Sequence, residues 1–228
     1  MKLIKAGSLA GTIDNISDAL FFNTSIPKDE KIKTAIWISE RQGLKYSYAG
    51  MFAPFPEDFK GIKLFTGEIL KSRAAVAHIL GEESLRALKL LGLPNIQVLN
   101  AYKLANQNMV DRLNESNAKG RYCCGTCTGS FWRNLTAGNL SDPEKHLNAG
   151  LRDLKEYRDG KGKWRSYPYY YTLLALEEIA ESDYSPKGLI AEMKYSAGGL
   201  ERLMKRRSVR DKYDARRQAL AERILNRI

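Results

Sequence analysis

Residues 141–182, SDPEKHLNAGLRDLKEYRDGKGKWRSYPYYYTLLALEEIAES, decide the fold class of this 228-residue chain. Ser141-Asp-Pro-Glu144 has the pattern of a capping box with proline in the first turn. Leu147, Leu151, Leu154 and Arg158 then recur three and four positions apart, the spacing of one helix face. Asp159-Gly-Lys-Gly162 has the composition of a turn. Leu173, Leu176 and Ala180 mark one side of a second helix over Tyr169 to Ser182. The stretch reads as helix, turn, helix.

The same signals recur outward from it. After Pro27, the residues Ile32, Ala35, Ile36 and Ser39 predict a helix ending near Gln42-Gly43. Thr66-Gly-Glu68 opens another, with Leu70, Ala74, Ala77 and Leu80 in step up to Gly81. A short segment, Glu83 to Leu91, follows and stops at Gly92 and Pro94. Ile96, Leu99, Leu104, Val110 and Leu113 describe a long amphipathic helix that frays over 114–120. Ser185-Pro186 starts a helix carrying Leu189, Met193, Leu200 and Leu203, bent at Gly198-Gly199. Ser208 to Asp211 caps the last, with Val209, Tyr213, Leu220 and Ile224 turned inward. No stretch alternates with period two. The expectation is an all-α fold of stacked helical hairpins. It forms a single domain over 1–228, in which two helical halves would meet near 114–122.

Two segments share a plan: a helix, a glycine-rich turn with an aromatic, then a helix. One spans about residues 36–80 and the other follows Leu151. The second, RDGKGKWRSYPYYYTLLAL (158–176), resembles the repeat of the terpenoid cyclase and protein prenyltransferase family. There a helix leads to a D-G-x-W-type turn and then to a helix opening near Tyr-x-Thr. The resemblance implies a partial α/α toroid. It does not imply the family's activities. Tyr171 stands where the prenyltransferases have a zinc-binding histidine, and the chain has no adjacent aspartates of the kind the cyclases use to protonate substrate. A full toroid needs about twelve helices, and eight or nine are predicted here.

Charge narrows the partners. Thirty-seven basic against 26 acidic residues leave +11, which favours an anionic partner. The last 28 residues hold ten basic and four acidic side chains. Arg206, Arg207, Arg210, Arg216 and Arg217 are therefore candidates for nucleic-acid contact, against the alternative of a solvated helix face. The first residues lack the continuous apolar stretch of a secretion signal, and no segment has the length of a membrane span. A cytoplasmic protein is expected.

Two further groups carry candidate chemistry. The loop 43–65 holds six aromatics, two prolines and three glycines, and loops of that length are often functional. Tyr46, Tyr48 and Phe52 from it, with Trp164, Arg165, Tyr169, Tyr170 and Tyr171, are expected to wall an aromatic pocket. Its ligand would be a small apolar molecule with an anionic end. The turn 158–165 adds converging backbone N–H groups and basic side chains suited to that end.

All three cysteines lie within five positions, in RYCCGTCTGSFWRNL (121–135). Cys124 and Cys127 have C-x-x-C spacing. With Cys123 and His146 they would make a zinc or iron site if the fold brought the histidine in. They would otherwise be a redox or nucleophilic pair, or thiols packed in a core. If 123–127 is the loop before a helix at Phe131-Trp132, Cys127 would be the reactive thiol, lowered by the helix dipole.

Overall fold

Helices account for most of the chain, as the periodicity predicted. A computed structural model describes residues 1–115, 120–205 and 208–228. Among these residues it has nine α-helices: α1 (Leu9–Phe21), α2 (Lys28–Ser39), α3 (Arg73–Leu91), α4 (Ile96–Glu115), α5 (Gly125–Thr136), α6 (Pro143–Glu156), α7 (Tyr169–Glu181), α8 (Leu189–Met204) and α9 (Lys212–Arg227). The described strands are β1 (Ile62–Lys63) and β2 (Ile69–Leu70), a short antiparallel pair with Ile62 opposite Leu70. No described helix is long and apolar enough to cross a membrane.

The chain forms two compact units. Of the described residues, the first takes those within Met1–Leu64, Ile69–Asn117 and Ala137–Ser141. The second takes those within Phe65–Glu68, Ala118–Thr136 and Asp142–Ile228. Each unit also claims a short segment from the other's stretch of sequence.

In the first unit α3 packs on α1, α2 and α4. Leu9, Ile16, Ile38, Leu85, Leu88 and Val98 lie at its centre, each 0–1% exposed. The sequence reading missed α1. Its start is fixed by Ser8, whose hydroxyl accepts from Gly11 N. The buried Asp58 carboxylate accepts from Ser8 Oγ at 2.7 Å and Leu9 N at 3.0 Å. Ala10 N also donates to it at 3.3 Å, so two orphan amides of the first turn are satisfied by a residue about fifty positions away. Helix α3 corrects two expectations. It begins at Ser72 rather than at Thr66, and it passes through Gly81 without a break. A Cβ on Gly81 would sit 3.2 Å from Met51 Cβ, so that glycine permits a close approach and does not end a helix. Helix α4 turns Val98, Tyr102, Ala105 and Met109 inward, while Ile96 and Leu104 are 69% and 52% exposed. The apolar stripe read from the sequence was one helix position out of phase.

In the second unit α7 packs chiefly on α5 and also on α9, and α8 pairs with α9. Only the α8–α9 pair is a hairpin of sequence neighbours with extensive packing. Helices α6 and α7, joined by the turn, find their main partners elsewhere. Phe131, Trp132 and Leu135 of α5 and Leu173 and Leu176 of α7 are fully buried. Each contributes roughly 1.5–3 kcal/mol of hydrophobic stabilisation. The buried guanidinium of Arg133 on α5 binds the Glu178 carboxylate of α7 through Nε and Nη2, at 2.9 and 3.1 Å.

Three local expectations change. Ser141 does not cap α6; Asp142 in a left-handed conformation precedes it, with Pro143 in the first turn. Helix α8 continues through Gly198-Gly199. Of the 208–211 stretch it is Asp211 that caps α9, accepting from Tyr213 N and Asp214 N, and Val209 is 54% exposed.

Candidate functional site

The start of α5 places the cysteines. Cys124 is the residue before the helix. Its carbonyl accepts from Thr128 N at 2.8 Å, and Thr128 Oγ1 donates to the same oxygen. Tyr122 N donates to Thr128 Oγ1, and Trp132 Nε1 donates to Gly120 O. The approach to the helix is therefore held at both ends. Gly125, the first helical residue, faces the 166–167 backbone so closely that a Cβ would lie 2.1 Å from Ser166 O. No other residue type fits there without moving the helix.

This puts Cys123 and Cys124 at the surface and Cys127 in the core, 2% exposed. The Cys127 side chain hydrogen-bonds the Cys124 sulfur, with added help from the backbone N–H groups of Cys127 and Thr126. Together they hold the Cys124 thiol down to about 5, against the opposing effect of burial. A sulfur at a helix N-terminus faces the orphan amides and the positive end of the dipole. The lowered thiol is thus Cys124, whereas the sequence placed that shift on Cys127. The signal that would have found it is Thr128: a residue that bonds back four positions marks Cys124 as the cap.

A metal set with His146 does not form. Among the described residues His146 joins no three-ligand cluster with these cysteines. Its ring lies edge-on to Phe131, centroids 5.5 Å apart. Burial, followed by the Lys145 charge, lowers its pKa, with Asp142 opposing.

The residues expected to wall an aromatic pocket fall in both units. In the first, Phe52 is fully buried. The Tyr48 ring lies against His78, burial of which depresses the imidazole to about 4, aided by Arg112. Tyr46 is 53% exposed beside Arg73 and Phe59. Within the 43–65 segment Tyr46 packs edge-on to Phe59, and Arg41, just past the end of α2, donates to Ala53 O and Pro54 O and lies over the Phe55 ring.

In the second unit Trp164 and Tyr171 are 3% and 1% exposed. Trp164 Nε1 donates to Glu192, which also takes Arg158 through Nε and Nη2. Tyr169 OH donates to Ser196 O. Tyr170 N and Tyr171 N donate to the Glu68 carboxylate, which caps α7. Arg165 donates to Glu156 O. The turn 158–165 is closed internally. Asp159 Oδ1 accepts from Lys161 N and Lys163 N, and Gly160 N donates to Tyr195 OH. The Gly160, Lys161 and Lys163 N–H groups are thus engaged within the protein, and Tyr195 ties the turn to α8.

The basic C-terminal set is likewise engaged. Arg206 and Arg207 lie outside the described residues. Arg216 is 2% exposed and donates to Phe65 O, and Arg217 donates to Thr66 O while lying over the Tyr170 ring. Arg210 is at the surface, paired with Asp214 at 2.8 Å. Arg216 and Arg217 clamp the 65–68 segment to α9. Compared with protein-family models, with curated proteins and with solved structures, the chain matches none.

Proposed function

We propose that the protein carries out thiol–disulfide exchange, with Cys124 as the attacking thiol and Cys127 as the resolving one. The observation that carries this reading is the exposed Cys124 sulfur at the start of α5, hydrogen-bonded by the buried Cys127 side chain. Positions three apart at a helix start lie within reach of a disulfide.

The Cys124 thiolate attacks one sulfur of a substrate disulfide, forming a mixed disulfide and expelling a thiolate, which takes a proton from solvent. The Cys127 sulfur, its proton passing to the second leaving thiolate, then attacks Cys124 Sγ. The mixed disulfide breaks and a Cys124–Cys127 disulfide forms. Two electrons pass from the protein dithiol to the substrate, and an external dithiol restores the reduced state. A cytoplasmic setting, where thiols are kept reduced, fits that cycle.

The test is equilibration of the reduced protein in glutathione buffers of graded potential, with acid trapping and mass mapping of the linkages. A Cys124–Cys127 disulfide in the wild type supports the reading, as does a trapped glutathione adduct on Cys124 in Cys127→Ser. Absence of both across the whole range of potentials rejects it.

A further inference from the structure

The second unit also contains a cavity of about 490 Å³. It is walled by the end of α7, the connection to α8, the first turn of α8 and Arg227 of α9. Its size falls among small-molecule sites, roughly 300–1,000 Å³. Tyr184, Pro186, Leu189 and Ile190 give it an apolar wall, with Ile190 41% exposed.

Among the described residues, Arg227 is the one charged member of the lining. Its Nη1 donates to Ala180 O at 3.1 Å. Its Nη2 lies 3.6 Å from Glu177 and 3.9 Å from Glu181, beyond hydrogen-bond length to either carboxylate. A carboxylate arriving from the cavity side can make the direct bond that these two do not.

We propose that this cavity binds a small carboxylate with an apolar body, its charged end paired with Arg227 and its body against Pro186, Leu189 and Ile190. The charges behind the arginine support the choice of an anion. Glu177 is 1% exposed. Burial first, and then Glu181, raise it to about 7, against the pull of Arg223 and Arg227. The other packed elements direct their charges elsewhere: Arg133 of α5 goes to Glu178, and Glu192 of α8 to Arg158 and Trp164. When Glu177 holds its proton, the group of two glutamates and two arginines carries a surplus positive charge. Anion binding therefore strengthens as pH falls through neutrality.

Octanoate is the probe, titrated calorimetrically at about pH 6 and about pH 8, on either side of the Glu177 titration, with octanol as the uncharged control. One octanoate per chain is expected, bound several-fold more tightly at the lower pH. Arg227→Met should weaken octanoate about tenfold and leave octanol unchanged, a loss equal to one charge-assisted contact. Glu177→Gln should keep the tighter binding at both pH values. Ile190→Asp, at an exposed position in the first turn of α8, retains the fold and should weaken both ligands. Octanoate affinity unchanged by Arg227→Met or Ile190→Asp, or no saturable binding up to ~10 mM, overturns the proposal.

Discussion

Replacing Cys127 by alanine removes the strongest stabilising contact of the Cys124 thiolate, the hydrogen bond from the Cys127 side chain. A thiol titrating at about 5 is about 99% ionised at pH 7, against roughly 1% for one at the unperturbed 9.0. That hundredfold gain in thiolate does not appear as a hundredfold gain in rate. Nucleophilicity falls with basicity along a slope of about 0.4–0.5, which costs roughly 40- to 100-fold over the same interval. At pH 7 the two effects nearly cancel. At about pH 6 the ionised fraction differs nearly a thousandfold, so Cys124 should react about tenfold faster than an ordinary thiol. The pH midpoint, not the speed, is therefore the diagnostic. A hydrogen bond to a charged group contributes about 1.5–3 kcal/mol, so Cys127→Ala should raise the midpoint by roughly one to two pH units. Cys127→Ser keeps a donor and should shift it less. The assay is iodoacetamide alkylation across pH, quantified at each cysteine by mass spectrometry. A wild-type Cys124 midpoint near the unperturbed value, or one that ignores Cys127→Ala, would refute the assignment.

The other predictions concern the frame of the site. Glu178→Ala strands the buried Arg133 guanidinium and should cost about 3 kcal/mol or more, read from urea midpoints. Gly125→Ala should lower Tm and raise the Cys124 midpoint, because its Cβ meets Ser166 O; stabilisation, as helix propensity alone predicts, would contradict this packing. Glu177 holds its proton in the folded chain up to about 7 and releases it near 4.5 when unfolded. The folded state binds more protons in that window, so this group's stabilisation is present below it and is lost as pH rises through it. The contribution is roughly 3 kcal/mol, and Glu177→Gln should flatten that part of the stability profile. Arg216→Ala should destabilise the protein without altering the salt dependence of any nucleic-acid retention, since its charge is spent on Phe65 O.

Helicity was legible in the residues because it is a local property. The leucine spacing in 147–154, the proline after Asp142 and the Asp211 cap act within one or two turns, and the structure keeps all three. The C-x-x-C spacing next to an α5 that includes Phe131-Trp132 was equally local. What the sequence left open depends on partners far away in the chain. Gly81 reads as a stop until Met51 approaches it, and Asp58 fixes the start of α1 from about fifty residues off. Arg216 and Arg217 look like a basic face, yet they clamp residues 151 positions earlier. The tyrosines of 169–171 look like a pocket wall, but Glu68 takes two of their amides and the core takes the Tyr171 ring. Residue type and spacing determine which groups can make a bond. Only the packed chain decides which bond each group makes, because a buried donor or charge costs more unpaired than any local preference gains.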